Sequence, residues 1–143
     1  MGEDLITPEL ENKCLDLICS SKIMMLSNID ENEYPAVRSM LNLKNKGLKK
    51  FRATTNTSSK KVKQIGDGTK ASLYFVDGSK FLGLTLFGIV KILNDEDSKK
   101  MLWQDGFEMY YPLGVNDPDY SVVYFEAFSG EFYHNLSVSE FRI

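Results

Sequence analysis

The sequence predicts a β-rich α+β fold in which an antiparallel sheet closes into a barrel and helices pack outside it. Most of the strand patterns follow one another directly and are separated by short turns, and helical patterns interrupt them at only a few points. Strands joined by short turns pair antiparallel, whereas a doubly wound fold needs a helix between nearly every pair of strands. With 143 residues the chain is long enough for one domain, 1–143, with its own core.

The first half of the pattern begins with a helix and continues as strands. Thr7-Pro8-Glu9 is typical of a helix start, since threonine caps, proline suits the first turn and an acid follows. This helix is predicted to reach about Ser21. A turn at Asn45-Lys46-Gly47 joins the last two of the strands that follow, which are predicted over 22–28, 35–43 and 48–54.

The second half begins with a short helix that Ser58 or Ser59 caps and that ends at Ile65. Strands are predicted next over 69–76 and 80–93. Two glycines inside the longer strand indicate bends or bulges there, namely Gly83 and Gly88.

The C-terminal part combines a third helix with a closing hairpin. Asn94 or Asp95 caps the helix, which carries Trp103. Strands over 120–128 and 131–135 are then predicted to pair across a turn at Ser129-Gly130.

Charge is distributed unevenly along the chain. The net charge is −3, yet the stretch 34–66 contains nine basic residues and no acidic one, so the remainder carries −12. An acidic protein with one basic segment is suited to holding a compact anion such as phosphate. Nucleic acid is not expected as a partner, because the acidic remainder would oppose it. The nine basic residues are Arg38, Lys44, Lys46, Lys49, Lys50, Arg52, Lys60, Lys61 and Lys63.

The sequence also argues against several classes of protein. The start Met1-Gly2-Glu3-Asp4 is acidic where a secretory signal is basic, and Ile6 stands where a myristoylation signal needs Ser or Thr. No apolar run is long enough to cross a bilayer, so a soluble, cytoplasmic protein without a membrane partner is expected.

Cysteine and histidine usage gives no sign of a metal or a catalytic triad. Cys14 and Cys19 lie five positions apart on the first helix, which places them on different faces and predicts buried free thiols. The single histidine, His134, has no companions for a metal site.

The segment Thr54–Lys61 is the strongest candidate for a binding site. It runs from the end of a strand into a helix start, where unpaired N–H groups, several hydroxyls and two ammonium groups can meet a phosphate. The alternative is an ordinary capping sequence followed by two solvated lysines.

Two further features leave alternatives open. Arg38, on the strand with Ser39 and Met40, is either aimed at a phosphate or ring oxygen or paired with Asp30, Glu31 or Glu33. The aromatic cluster either packs on a flat ring or forms core or a dimer interface; its members are Trp103, Phe107, Tyr110 and Tyr111.

Taken together, these motifs resemble a known family. The chain contains Tyr34-Pro35-x-x-Arg38-x-Met40, then Thr54-Thr55-Asn56-x-x-Ser59-Lys60-Lys61-Val62-x-x-Ile65, then the strand Ser72-Leu73-Tyr74-Phe75. Their order and spacing resemble the pyridoxamine 5′-phosphate oxidase-like, FMN-binding split-barrel proteins. The later Leu102-Trp103-x-x-x-Phe107-x-x-Tyr110-Tyr111-Pro112-x-Gly114 and Asp117-Pro118-Asp119-Tyr120 are similar to the general stress protein 26 branch.

The resemblance implies a six-stranded antiparallel split β-barrel that forms a homodimer with FMN at the subunit interface. It places the flavin and its ribityl chain along Arg38, Ser39 and Met40. It assigns further cofactor contacts to one group of residues, Thr54, Thr55, Ser59, Lys60 and Lys61, and implies that Trp103 lies near the flavin of the second subunit.

The chain departs from the oxidases at the substrate. It lacks their C-terminal Arg-x-His stretch, and Leu43 stands where they carry a substrate-binding lysine. A flavin-dependent oxidoreductase with an unknown small-molecule substrate is the leading hypothesis. A non-catalytic flavin carrier or stress-related sensor is the second, and binding of heme, a deazaflavin or an acidic partner is the third.

Overall fold

The computed structural model describes residues 4–143, so the acidic start Met1-Gly2-Glu3 lies outside the described part. This part contains three α-helices and eight strands. Two short 3-10 turns follow α3, at Phe107–Met109 and Gly114–Asn116. The elements are α1 (Pro8–Ser20), β1 (Ile23–Ile29), β2 (Pro35–Leu41), β3 (Lys44–Lys46), β4 (Lys50–Asn56), α2 (Lys60–Ile65), β5 (Thr69–Asp77), β6 (Leu82–Leu93), α3 (Glu96–Leu102), β7 (Tyr120–His134) and β8 (Ser137–Arg142).

All strands belong to one antiparallel sheet with the order β2-β1-β5-β6-β7-β4-β3, and β8 adds to the C-terminal half of β7. The ends of this sheet curl towards each other, because β2 and β4 lie in contact without pairing. The expected β-rich antiparallel barrel is therefore confirmed.

The expected number of six strands is wrong, since the described residues form eight. One reason is that the predicted strand over 35–43 ends early. The side-chain amide of Asn42 donates to the carbonyls of Ile18 and Ser21, at 2.9 Å each. These bonds tie the chain to the end of α1, and the short strand β3 begins only after them.

The closing hairpin also differs from its prediction. Ser129-Gly130 lies within the continuous strand β7, and the chain turns at Asn135-Leu136, where φ is 50° and 58°. Gly130 is needed for close packing and not for a turn, because a Cβ there would lie 2.7 Å from the carbonyl oxygen of Thr85.

The two glycines of β6 have different roles. Gly88 lies at a bulge, as predicted, where the pairing with β7 shifts and leaves Phe128 as the extra residue. Gly83 sits in regular pairing, and a Cβ there would lie 2.6 Å from the hydroxyl of Tyr74. A glycine in a strand can thus mark a close approach as well as a bulge.

The core fills the inside of the barrel, and a second cluster lies outside it. Helix α1 closes one end with Cys14, Leu17 and Ile18, while Ile65 of α2 packs into the same core. Helix α3 and the turns after it cover part of the outer surface of the sheet. That second cluster consists of Leu102, Phe107, Tyr111, Tyr120 and Val122.

The two cysteines are free, but only one matches the expectation of a buried thiol. Cys14 is buried, and burial raises its pKa to about 12. Cys19 is exposed, because it lies five residues after Cys14 on a helix of about 3.6 residues per turn and therefore points away from the barrel. Within residues 4–143 no cluster of metal-ligating side chains occurs, and no helix has the length and apolar character needed to cross a membrane.

Candidate cofactor site

Arg38 is held between the sheet and α2. Alternation along β2 turns its side chain to the inner face, where Nη1 donates to Oδ1 of Asn28. Nη2 donates to Oε1 of Gln64 on α2, at 2.8 Å. Within the described part of the chain Arg38 forms no ion pair, so the alternative of a salt bridge to an acid of the preceding turn does not describe this structure.

Lys61 lies close to Arg38 and also lacks a carboxylate partner among residues 4–143. Burial, and then the positive charge of Arg38, lower the pKa of Lys61. Two like charges held together at a half-buried position repel each other, so this arrangement favours a bound anion.

Two hydroxyls stand beside these cations. Thr55 is the last inward-facing residue of β4 and is only 5% exposed. Its Oγ1 lies 3.5 Å from Oγ of Ser59. Ser59 is the N-cap of α2, as predicted, but its side chain makes no capping bond and remains able to donate elsewhere. Arg38, Thr55, Ser59 and Lys61 are called the Arg38–Lys61 site below.

A carboxylate from another turn shapes the loop before α2. Asp119 accepts hydrogen bonds from Nδ2 of Asn56, at 2.6 Å, and from the backbone N–H of Ser58, at 2.7 Å. Asp117 accepts from the backbone N–H groups of Leu113 and Asp119. The Asp-Pro-Asp segment is therefore a structural turn that fixes the loop carrying Ser59.

Three residues of the sequence-predicted site point elsewhere. Lys60 is well exposed and lies 3.6 Å from Glu31, whereas Thr54 faces the opposite side of β4 from Thr55 and hydrogen-bonds to Tyr111. Trp103 packs on Phe107 within its own subunit, with ring centroids 5.6 Å apart. Their expected contacts with a cofactor stay predictions.

The remaining two site residues lie on β2 itself. Ser39 is exposed on the outer face, whereas Met40 shares the inner face with Arg38 and is buried in the core. In addition, β2 is the terminal strand of the sheet path, and one edge of its backbone has no strand partner among the described residues. Backbone groups along 38–40 can therefore contact a flat, polar ligand.

Two residues that contact the site carry no recognisable signal in the sequence. Asn28 and Gln64 come from a strand and a helix that are distant along the chain, and each accepts a hydrogen bond from Arg38. The only available hint is the spacing of Gln64, three residues after Lys61 and hence on the same helix face.

The arrangement can bind and orient, but it shows no acid–base catalyst. The one histidine, His134, lies beside Asp77, the last residue of β5. Helix α2, which carries Lys61, leads into Thr69 at the opposite end of β5, so His134 is distant from the Arg38–Lys61 site. Its ring stacks on Phe132, with centroids 4.9 Å apart. Any redox chemistry at the Arg38–Lys61 site must then come from a bound cofactor.

Comparisons with known proteins identify the family and the fold. A model of the pyridoxamine 5′-phosphate oxidase-like family matches residues 9–141. A Clostridium acetobutylicum structure, described as related to general stress protein 26 and as a member of the pyridoxinephosphate oxidase family, is 45% identical with a TM-score of 0.86; the match covers 96% of this chain and 97% of that one. No significant match was found among curated proteins.

More distant structures share the fold alone. A general stress FMN/FAD binding protein from Xanthomonas citri is 20% identical with a TM-score of 0.77, and the match covers 92% of each chain. A heme binding protein from Mycobacterium smegmatis is 12% identical with a TM-score of 0.75, over 96% of this chain and 60% of that one. With the family model spanning nearly the whole chain and a relative of 45% identity, the protein belongs to the pyridoxamine 5′-phosphate oxidase-like family.

Proposed function

We propose that this protein binds FMN at the Arg38–Lys61 site and acts as a flavin-dependent oxidoreductase. The observation that carries the proposal is the pair of adjacent, half-buried cations, Arg38 and Lys61, with which no described carboxylate forms an ion pair. A phosphate relieves their repulsion and accepts hydrogen bonds from both. Thr55 and Ser59 supply further donors beside them.

The position of the phosphate would determine where the rest of the flavin lies. With a phosphate at Lys61, backbone groups of 38–40 on the edge of β2 would hold the polar edge of the flavin ring. Bound FMN would supply hydride and electron transfer, while the chain orients the ring and excludes water from one side of it.

We also propose that a second copy of the chain completes this site in a homodimer. The outer face of β1, β2 and β5 carries several exposed apolar side chains that none of the described elements covers, and it includes the strand that bears Arg38. Large exposed apolar surfaces mark interfaces. The exposed members of this outer face are Ile23, Ile29, Val37, Leu41, Tyr74 and Val76.

Reconstitution tests the cofactor. Purified protein mixed with FMN should retain yellow absorbance after gel filtration and should melt at a higher temperature than the FMN-free protein. Reduction of the bound flavin by NADH or NADPH under anaerobic conditions would support an oxidoreductase. Absence of FMN binding at micromolar concentration would contradict the whole proposal.

A non-catalytic flavin carrier or sensor is the second candidate, and one observation favours it. Leu43 packs against the apolar cluster beneath α3. The oxidases that this chain resembles carry a substrate-binding lysine at the same position. A carrier should bind FMN without turning over NADH or NADPH. This outcome would remove the oxidoreductase and keep the binding function.

A further inference from the structure

The guanidinium of Arg38 is satisfied by amide oxygens and not by carboxylates. Asn28 provides one acceptor from β1 and is only 3% exposed, and Gln64 provides the other from α2 at 2.8 Å. Amide oxygens accept hydrogen bonds without a net charge. The contacts therefore fix the direction of the guanidinium and leave its positive charge available.

Carboxylates lie nearby, but none of those described forms an ion pair with Arg38. Burial lowers the pKa of Arg38, and the negative charge of Asp30 opposes this effect only in part. Asp30 accepts the backbone N–H groups of Asn32 and Tyr34, at 2.9 Å each. Glu31 accepts from Nε2 of Gln64 at 2.9 Å and lies 3.6 Å from the ammonium of Lys60. Asp30 and Glu31 are thus engaged by other partners.

Gln64 connects the arginine to Glu31. Its carbonyl oxygen faces Arg38 while its NH₂ group faces Glu31. Only a side chain with both an acceptor and a donor can make these two contacts at once. A glutamate would repel Glu31, and a lysine could not accept from Arg38.

We propose that Asn28 and Gln64 are positioning residues that orient Arg38, keep carboxylates from pairing with it and thereby make the site select a phosphorylated flavin over an unphosphorylated one. The inference rests on the proposed FMN function. It predicts that a negative charge at either amide position mimics the phosphate, competes with it for Arg38 and removes the selectivity.

Near-isosteric variants test this inference. Asn28→Asp and Gln64→Glu keep an oxygen next to Arg38 and add one negative charge. Dissociation constants for FMN and for riboflavin, measured by flavin fluorescence at one ionic strength, should show FMN affinity falling about 10-fold or more. Riboflavin affinity should change less than about twofold, because riboflavin carries no phosphate for Arg38 to contact.

A double variant separates charge from stability. Glu31→Gln combined with Gln64→Glu exchanges the amide and the carboxylate, so the hydrogen bond between the two positions can form again. This variant should regain most of the melting temperature that Gln64→Glu loses and should still fail to prefer FMN. A purely structural role for Gln64 predicts that selectivity returns together with stability.

The outcomes distinguish the two proposals. A wild-type protein that prefers FMN, with single variants that keep this preference, overturns the inference alone. Variants that lose affinity for both flavins in parallel also overturn it, because a general loss of structure explains that result. A wild-type protein that binds neither flavin overturns the proposed function and the inference with it.

Discussion

At the residue scale, the structure separates two neighbouring lysines that are equivalent in the sequence. Lys60 is exposed and faces Glu31, whereas Lys61 is half-buried beside Arg38. An exposed ion pair contributes little, while a desolvated charge interacts strongly with a bound anion. Lys61 is therefore the lysine on which phosphate binding should depend.

Lys61→Met should weaken FMN binding roughly 10- to 100-fold, because it removes a charge-assisted contact. It should also raise the melting temperature of the FMN-free protein. The lowered pKa means that folding penalises the charged form of Lys61, and methionine removes this penalty while keeping the apolar stem. Titration calorimetry and thermal melts measure the two effects.

The matched control is Lys60→Met, which should change FMN affinity less than about threefold because Lys60 is exposed and engaged by Glu31. Equal losses for the two variants would show that both lysines contact the phosphate. Equal and negligible losses would contradict the assignment of Lys61.

The lowered pKa of Lys61 also gives FMN binding a pH dependence. As the pH is raised towards about 6, the affinity for FMN should increase, because the phosphate gains its second negative charge. It should decline at alkaline pH, beginning at a lower pH than for an ordinary lysine, because Lys61 loses its proton early. Fluorescence titrations across this range measure the profile, and Lys61→Met should keep the acidic limb and lose the alkaline one.

At the scale of single elements, one bulge determines how β6 and β7 bend together. The pairing of Gly88 with Ala127 places the backbone of Glu126 directly over Gly88. A Cβ at this position would lie 1.9 Å from the carbonyl oxygen of Glu126. The barrel can close at this point only because residue 88 has no side chain.

Gly88→Ala should therefore lower the free energy of unfolding by at least about 2 kcal/mol, because the two strands must separate to admit a methyl group. Gly78→Ala serves as the control, since nothing lies within 4 Å of a Cβ there. Urea denaturation of the two variants gives the comparison. Similar midpoints for both would show that the bulge is less constrained than the structure indicates.

At the scale of the whole molecule, the barrel leaves much of its outer face uncovered. Helix α3 covers the part near Tyr120 and Val122, and apolar side chains of β1, β2 and β5 remain exposed elsewhere. Since β2 also carries Arg38, a partner on this face lies next to the proposed flavin. Assembly and cofactor binding should therefore depend on each other.

Val37→Asp should convert the proposed dimer into single chains, because Val37 is 65% exposed on the outer face and its replacement is charged. Light scattering after gel filtration measures the mass, and FMN affinity should fall with it. Leu136→Asp is the control, as Leu136 is 85% exposed but lies in the β7–β8 turn. A Val37→Asp protein that remains dimeric would place the interface elsewhere.

The sequence by itself determined the features that depend on neighbouring residues. Thr7 caps its helix as predicted, and Asp95 caps α3 as one of the two residues predicted for that position, because a cap depends on a few adjacent residues. Helix α2 begins after Ser59, one of its two predicted caps, although the Ser59 side chain makes no capping bond. The basic stretch and the order of its motifs also indicated the family before any contact was known, since motif spacing is a property of the chain alone.

Only the tertiary structure decided which of these residues meet. It turned Thr54 away from Thr55, directed Lys60 to Glu31, and placed Gly130 in a strand and not in a turn. It also brought Asn28 and Gln64 to Arg38 from elements far apart in sequence. Such contacts depend on how the sheet curls and on which face each side chain takes, and residue types and their spacing along the chain do not contain that information.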